Sequence, residues 1–229
     1  ANARLAIEKL NQLKTLEPSN TAIDKKLAEI YYLKNDFSKA ADAYSRFAMG
    51  PKANEEDLVR YAFALFLNHD FAKSLEVANM GLKKNPRHAA FNRLAMYNNT
   101  DLKRFEEALK AADVFFNECD KADYSYLDYM YYGHLLEELM KYDEAVGQYE
   151  KAVELDPTKT DLYKIISSVY EQKNDYKKAI GAYHKYYSSL EKEKQTPDLQ
   201  FQLGRLYYGA GTQPDSLTIN VEERKQALM

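Results

Sequence analysis

An all-α fold of stacked helix pairs follows from three features of the 229-residue sequence: a helix-favouring composition, a period close to 34 residues, and turn residues recurring at one point of each period. Only 8 glycines and 6 prolines punctuate the chain, too few for many short strands and turns, while Ala, Leu, Lys, Glu and Tyr fill long stretches. An aromatic followed three residues later by a small residue occurs at Phe37/Ala40, Phe71/Ser74, Phe105/Ala108, Tyr142/Ala145 and Tyr176/Ala179, in steps of 34, 34, 37 and 34. Polar pairs precede these aromatics, as in Asn35-Asp36, His69-Asp70 and Asn174-Asp175, where one helix is expected to stop and the next to begin.

In chain order, residues 1–19 are expected to form half a repeat, a lone second helix with Ala6 in the small slot 34 residues before Ala40. Full repeats follow at about 21–54, 55–88, 89–122, 126–159 and 160–193, and a partial one at 197–229, all in a single domain over 1–229. Each first helix carries its own ladder: Leu27-Ala28 with Tyr31, Tyr61-Ala62 with Leu65, Tyr132-Gly133 with Leu136, Ile166-Ser167 with Tyr170, and Leu203-Gly204 with Tyr207. The small residues let two backbones approach. Pro18, Pro51, Pro86 and Pro157 fall after second helices, where a lost backbone N–H costs little.

The third repeat departs from the pattern, with Met96 and Asn99 where its siblings carry a small and a large apolar residue, so its first helix is expected to pack less tightly or against a different neighbour. Three extra residues between Cys119 and Tyr126 lengthen the next loop. At the far end a helix over 198–208 is expected, then a loop from Gly209 to Pro214, then an amphipathic helix from Val221 that stops at Met229, an expectation that the natural chain continues.

The stretch Tyr129 to Pro157, with Tyr132, Gly133 and Leu136, then Tyr142-Asp143-Glu144-Ala145, Tyr149, Ala152 and Leu155-Asp156-Pro157, resembles a tetratricopeptide repeat. Five copies in nearly constant register extend the resemblance over residues 20 to 191. It implies a right-handed α-α superhelix whose stacked first helices line a concave groove that receives partner peptides. Ladder residues Leu27, Tyr31, Phe37, Tyr61, Phe71, Tyr132, Leu136, Tyr142, Tyr170 and Tyr176 are then core.

Helical spacing places the groove on the other face of the first helices. That face carries Lys25, Glu29 and Tyr32 in the first repeat, Val59, Phe63 and Phe66 in the second, and Arg93 and Tyr97 in the third. It continues through Met130 and His134 in the fourth, Lys164, Ser168 and Glu171 in the fifth, and Phe201, Arg205 and Tyr208 in the last. An aromatic centre of Phe63, Phe66 and Tyr97 between charged flanks suits an extended or helical segment with apolar anchors; the alternative is that Phe63 and Phe66 pack internally. Some members of the family hold a chaperone's terminal carboxylate with a Lys, Asn, Asn, Lys, Arg set. Lys25 matches its first position, but Glu29, Arg60, Ala90 and Leu94 occupy slots that should follow, so such a tail is not the expected ligand.

No feature points to catalysis or a cofactor. His69, His88, His134 and His184 lie in different repeats at no metal-ligand spacing from one another or from Cys119. No Gly-rich phosphate loop, calcium loop or nucleophile elbow occurs. Glu106-Glu107 and Glu137-Glu138 are helix neighbours that point apart, and acidic neighbours of Cys119 disfavour a reactive thiol. Asn98-Asn99-Thr100 matches a glycosylation acceptor, a pattern too short to carry weight.

A net charge of -3, from 32 basic and 35 acidic residues spread along the chain, offers no footprint for nucleic acid or an anionic membrane, and no run is long and apolar enough to span a bilayer. The expectation is a non-catalytic scaffold that recruits a protein or peptide, without nucleic acid or membrane insertion. The alternatives are a module that self-associates through uncapped end helices, or the recruitment part of a larger protein whose activity lies elsewhere. Twenty tyrosines with no tryptophan, and frequent Lys-Asn and Asn-Asp pairs, suggest a bacterial source and lean toward an exported, periplasmic location, which the sequence does not fix.

Overall fold

A computed structural model describes residues 2–119 and 123–211. They group into two compact units, one ending at Asp123 and one beginning at Tyr124. In the first unit α1 (Asn2–Leu16) is followed by the pairs α2 (Thr21–Leu33) and α3 (Phe37–Ala48), α4 (Glu55–Leu67) and α5 (Phe71–Lys84), and α6 (Ala89–Asp101) and α7 (Phe105–Asn117). The second holds α8 (Tyr126–Glu138) and α9 (Tyr142–Leu155), α10 (Leu162–Gln172) and α11 (Tyr176–Ser189), a short 3-10 turn, and α12 (Pro197–Gly211). No strand occurs among the described residues, and each second helix begins on the aromatic that marks the period. Within each unit, helices adjacent in sequence pack against one another.

The turn inside each pair is built the same way five times. Asn35, His69, Lys103, Met140 and Asn174 all have φ between 57° and 60°, the left-handed conformation that reverses the chain in few residues. The next residue caps the second helix: Asp36, Asp70 and Asp175 each accept from the backbone N–H three residues on, at 3.2–3.3 Å. Arg104 and Lys141 stand at the same place in the other two pairs and make no such bond.

Close helix approach rests on the small slots. Ala28 and Ala62 are fully buried, and Ser167 donates from Oγ to the Ala179 carbonyl at 2.8 Å. At Gly133 a Cβ would come within 2.8 Å of the Tyr149 ring, so that position needs the absence of a side chain. Of the expected ladder core, Leu27, Tyr61 and Leu136 are buried. Tyr31, Phe37, Phe71, Tyr132, Tyr142, Tyr170 and Tyr176 are half-buried. The centre is instead alanine-rich, filled by Tyr44, Phe115, Tyr149 and Tyr183 from the second helices.

The third repeat corrects the expectation of loose packing. In α6 every residue from Leu94 to Thr100 is buried, with Leu94, Met96 and Asn98 at 0% exposure. Met96 is large in a small slot, and the second-helix position seven residues past the helix start is Ala112, as it is Ala78 in the second repeat, where the first, fourth and fifth repeats have Tyr44, Tyr149 and Tyr183. A second correction concerns the end of the chain, since α12 runs through Gly211 and the start of the expected loop is helical. The rest of that loop and the helix expected from Val221 lie outside the described residues.

Three buried carboxylates bridge or cap the helices. Asp24 pairs with Lys14 of α1 and, at 2.8 Å, with Arg46 of α3. Asp57 closes a capping box with Asn54 at the start of α4, and Asp128 does the same with Ser125 at the start of α8.

Candidate functional site

In the first unit the expected groove face is largely occupied by its own contacts. Lys25 is not a free donor: its ammonium lies 2.7 Å from buried Asp57 and 5.0 Å from the centre of the Phe47 ring. Glu29 pairs with Lys26 at 2.9 Å, and Tyr32 packs edge-on against Phe37 at 5.5 Å, where burial raises its phenol pKa. Val59 is 7% exposed and Tyr97 2%, which corrects the expectation of open groove side chains at both places. Phe63 and Phe66 are half-buried against the first unit's core, and Phe66 lies 5.7 Å from Phe71 and 5.5 Å from Tyr97. The rings satisfy one another, which lowers the cost of placing them on this face. Arg93 donates to the Asp123 carbonyl at 2.7 Å and covers the Phe115 ring at 5.1 Å, so it serves as an intramolecular clasp.

The second unit keeps its face open. Met130 is half-buried against that unit's core and His134 is exposed. On α10, Lys164, Ser168 and Glu171 follow at intervals of four and three and share one face, as do Phe201, Arg205 and Tyr208 on α12. The two faces are joined by Arg205 and Glu171. Both terminal nitrogens of the guanidinium meet both carboxylate oxygens, one at 2.8 Å, and this pairing raises the Arg205 pKa further above its ordinary value.

Beside this clamp lies a cleft of about 320 Å³ lined by Lys164, Ser168, Glu171 and Arg205 together with Tyr183 and Gln202. Four residues read from helical spacing therefore meet in one place. Tyr183 was missed because it comes from the second helix of its pair, outside the face that was followed, and Gln202 because it sits off the α12 stripe. Along the same face of α12 as Arg205, Phe201 is 71% and Tyr208 75% exposed, large rings open to solvent one helical turn to either side of it.

Residues 133–198, which contain most of this cleft, match the family described as tetratricopeptide repeat. Over that segment the chain resembles a tetratricopeptide repeat. Solved structures agree with the repeat architecture. The C-terminal part of a TPR repeat-containing protein from Cytophaga hutchinsonii is 26% identical, with a TM-score of 0.58 over 66% of this chain. The match spans 57% of that chain. MamA from Desulfovibrio magneticus RS-1, residue 41 to its end, is 18% identical with a TM-score of 0.65, over 77% of this chain and 97% of that one. A further MamA crystal structure is 19% identical at a TM-score of 0.63, over 77% and 95%. Likeness at these last two identities concerns the fold alone. No curated protein gives a significant match.

A tetratricopeptide solenoid is in general a protein-interaction scaffold without catalytic chemistry of its own. Among the described residues no group of three or more His, Cys, Asp or Glu side chains is placed to hold a metal ion, and no helix is long and apolar enough to cross a membrane. The histidines are dispersed: His88 stacks on Phe91 at 4.6 Å, and His184 shares a hydrogen bond of 3.0 Å with Tyr207.

Proposed function

We propose that this chain is a non-catalytic scaffold that holds a polypeptide segment on the first-helix face of its second unit, across α10 and α12. The observation that carries the reading is the coincidence, beside one cleft, of a basic and an acidic side chain locked in a clamp with two widely exposed rings, Phe201 and Tyr208. An exposed ring pair on rigid helices gives apolar anchorage, and Lys164, Ser168 and Gln202 offer hydrogen bonds to a passing backbone. The groove proposed from the sequence thus shifts its weight from Phe63, Phe66 and Tyr97 to the α10–α12 face, with Lys25, Glu29, Tyr32, Val59, Arg93, Met130 and His134 as flanking or structural positions.

Two double variants test the shift. Phe201→Ala/Tyr208→Ala should leave stability within about 0.5 kcal/mol, since both side chains are exposed, and should abolish capture of the partner from the native organism. Phe63→Ala/Phe66→Ala should cost about 2–4 kcal/mol through lost packing in the first unit. Full capture by the first variant would overturn the assignment. A second reading, self-association through an end helix, is favoured by α1, which buries no residue and exposes Leu5 (55%) and Leu16 (79%). Light scattering over a concentration series tests it, and a constant molar mass would dismiss it.

A further inference from the structure

A second site lies in the first unit, between the second helices α5 and α7, over a floor made by α6. There a cleft of about 440 Å³ is walled by Leu75 and Leu82 on one side and Ala111 and Val114 on the other. Its floor is Asn92, Ala95 and Asn99, spaced so that they share a face of α6 well away from Arg93 and Tyr97. It is therefore separate from the first-helix groove and stands independently of the function proposed above.

The repeats themselves explain why the cleft exists. Ten residues before the second helix begins, the other four full repeats place Leu27, Tyr61, Tyr132 and Ile166, and the third places Ala95. Six residues before it, they place Tyr31, Leu65, Leu136 and Tyr170, and the third places Asn99. Both large-to-small changes fall in this cleft. A third departure joins them, Arg104 at a cap position held by Asp36, Asp70 and Asp175 elsewhere. The volume that a repeat ordinarily fills with its own Tyr or Leu is left open here.

The polar groups inside are not all spent. Asn92 donates to the Pro86 and His88 carbonyls at 2.9 and 3.2 Å and is structural. Asn99 is 6% exposed as a residue, and its side-chain amide makes no hydrogen bond among the described residues and is not among the atoms shut off from solvent. That amide has donors and an acceptor to offer an occupant of the cleft. At the mouth Arg104 and Lys110 outnumber Glu107, and none of the three is ion-paired among the described residues.

We infer that this cleft is a docking pocket for a protein segment that inserts a tyrosine beside an acidic residue. The ring takes the space vacated at Ala95 and Asn99, the Asn99 amide bonds the inserted phenol or its backbone, and Arg104 and Lys110 meet the neighbouring carboxylate. The apolar walls and a volume within the usual range of ligand pockets fit such an anchor.

The test is titration of the whole chain with small blocked probes, read by amide proton–nitrogen correlation spectra at the side chains of Asn79, Asn92 and Asn99. N-acetyl-tyrosyl-glutamyl-amide should shift these resonances saturably, with roughly millimolar affinity for so small a probe, and the alanyl-glutamyl analogue should not. Asn99→Leu, the residue of the second repeat, should keep the chain folded and abolish the shifts at Asn79 and Asn92. Lys110→Glu, an exposed change, should weaken the tyrosyl-glutamyl probe roughly threefold and leave a tyrosyl-lysyl probe no weaker. Absence of saturable shifts, or equal shifts in the Asn99→Leu chain, would overturn the site. An equal response to free 4-hydroxyphenylacetate would overturn the polypeptide occupant in favour of a small aromatic acid.

Discussion

Gly133→Ala and Gly147→Ala are the same chemical change in one helix pair, and the structure assigns them opposite signs. A Cβ at Gly147 meets nothing within 4 Å, so replacing glycine in the interior of α9 should gain about 0.8–1.0 kcal/mol of helix propensity. A Cβ at Gly133 falls 2.8 Å from two atoms of the Tyr149 ring and 3.1 Å from a third, which is shorter than side chains tolerate. That ring cannot swing aside freely: it is 1% exposed, its hydroxyl donates to Glu137 at 2.9 Å, and Glu137 in turn accepts from Gln172 at 2.8 Å. Overpacking costs about 1–3 kcal/mol, and disturbing the hydroxyl bond adds about 1. After the propensity gain is subtracted, Gly133→Ala should destabilise by about 1–3 kcal/mol and differ from Gly147→Ala by about 2–4. Urea unfolding followed by circular dichroism measures both midpoints. If Gly133→Ala proved as stabilising as Gly147→Ala, the claim that a glycine sets the approach of α8 to α9 would be wrong.

Other predictions follow from the turns and the buried charges. Lys141→Asp should supply the cap that three other pairs have and raise the unfolding free energy by about 1 kcal/mol, read from the same urea titration. Met140→Asn relieves a left-handed residue that is 74% exposed and should add about 0.5–1 kcal/mol. Asp57→Ala removes a capping box and the partner of Lys25, and should lower the melting temperature by an amount equivalent to about 2 kcal/mol or more, whereas Lys25→Met, at a partly exposed side chain, should cost under about 1.

The sequence carried the repeat register because backbone turns impose it: the steps between aromatic and small residues recur in the starts of α3, α5, α7, α9 and α11 and in the five left-handed turn residues. Packing partners were less legible. Met96 read alone implies a misfit, yet α6 is enclosed from Leu94 to Thr100. Helical spacing found Lys164, Ser168, Glu171 and Arg205, yet it could not tell that Lys25 is spent on Asp57 or that Tyr97 is buried, because both depend on neighbouring helices. The Asn54/Asp57 and Ser125/Asp128 pairs, three residues apart before apolar runs, were a readable sign of capping carboxylates. Aligning the repeats column by column would also have exposed Ala95 and Asn99 as a pair of vacancies in one repeat.

The central claim is that a partner polypeptide lies across α10 and α12. A photo-crosslinking side chain placed at Ser168, on that face, should join to the partner, while one at Lys177, exposed on α11 away from the cleft, should not. Crosslinks at Lys177 with none at Ser168 would contradict the account.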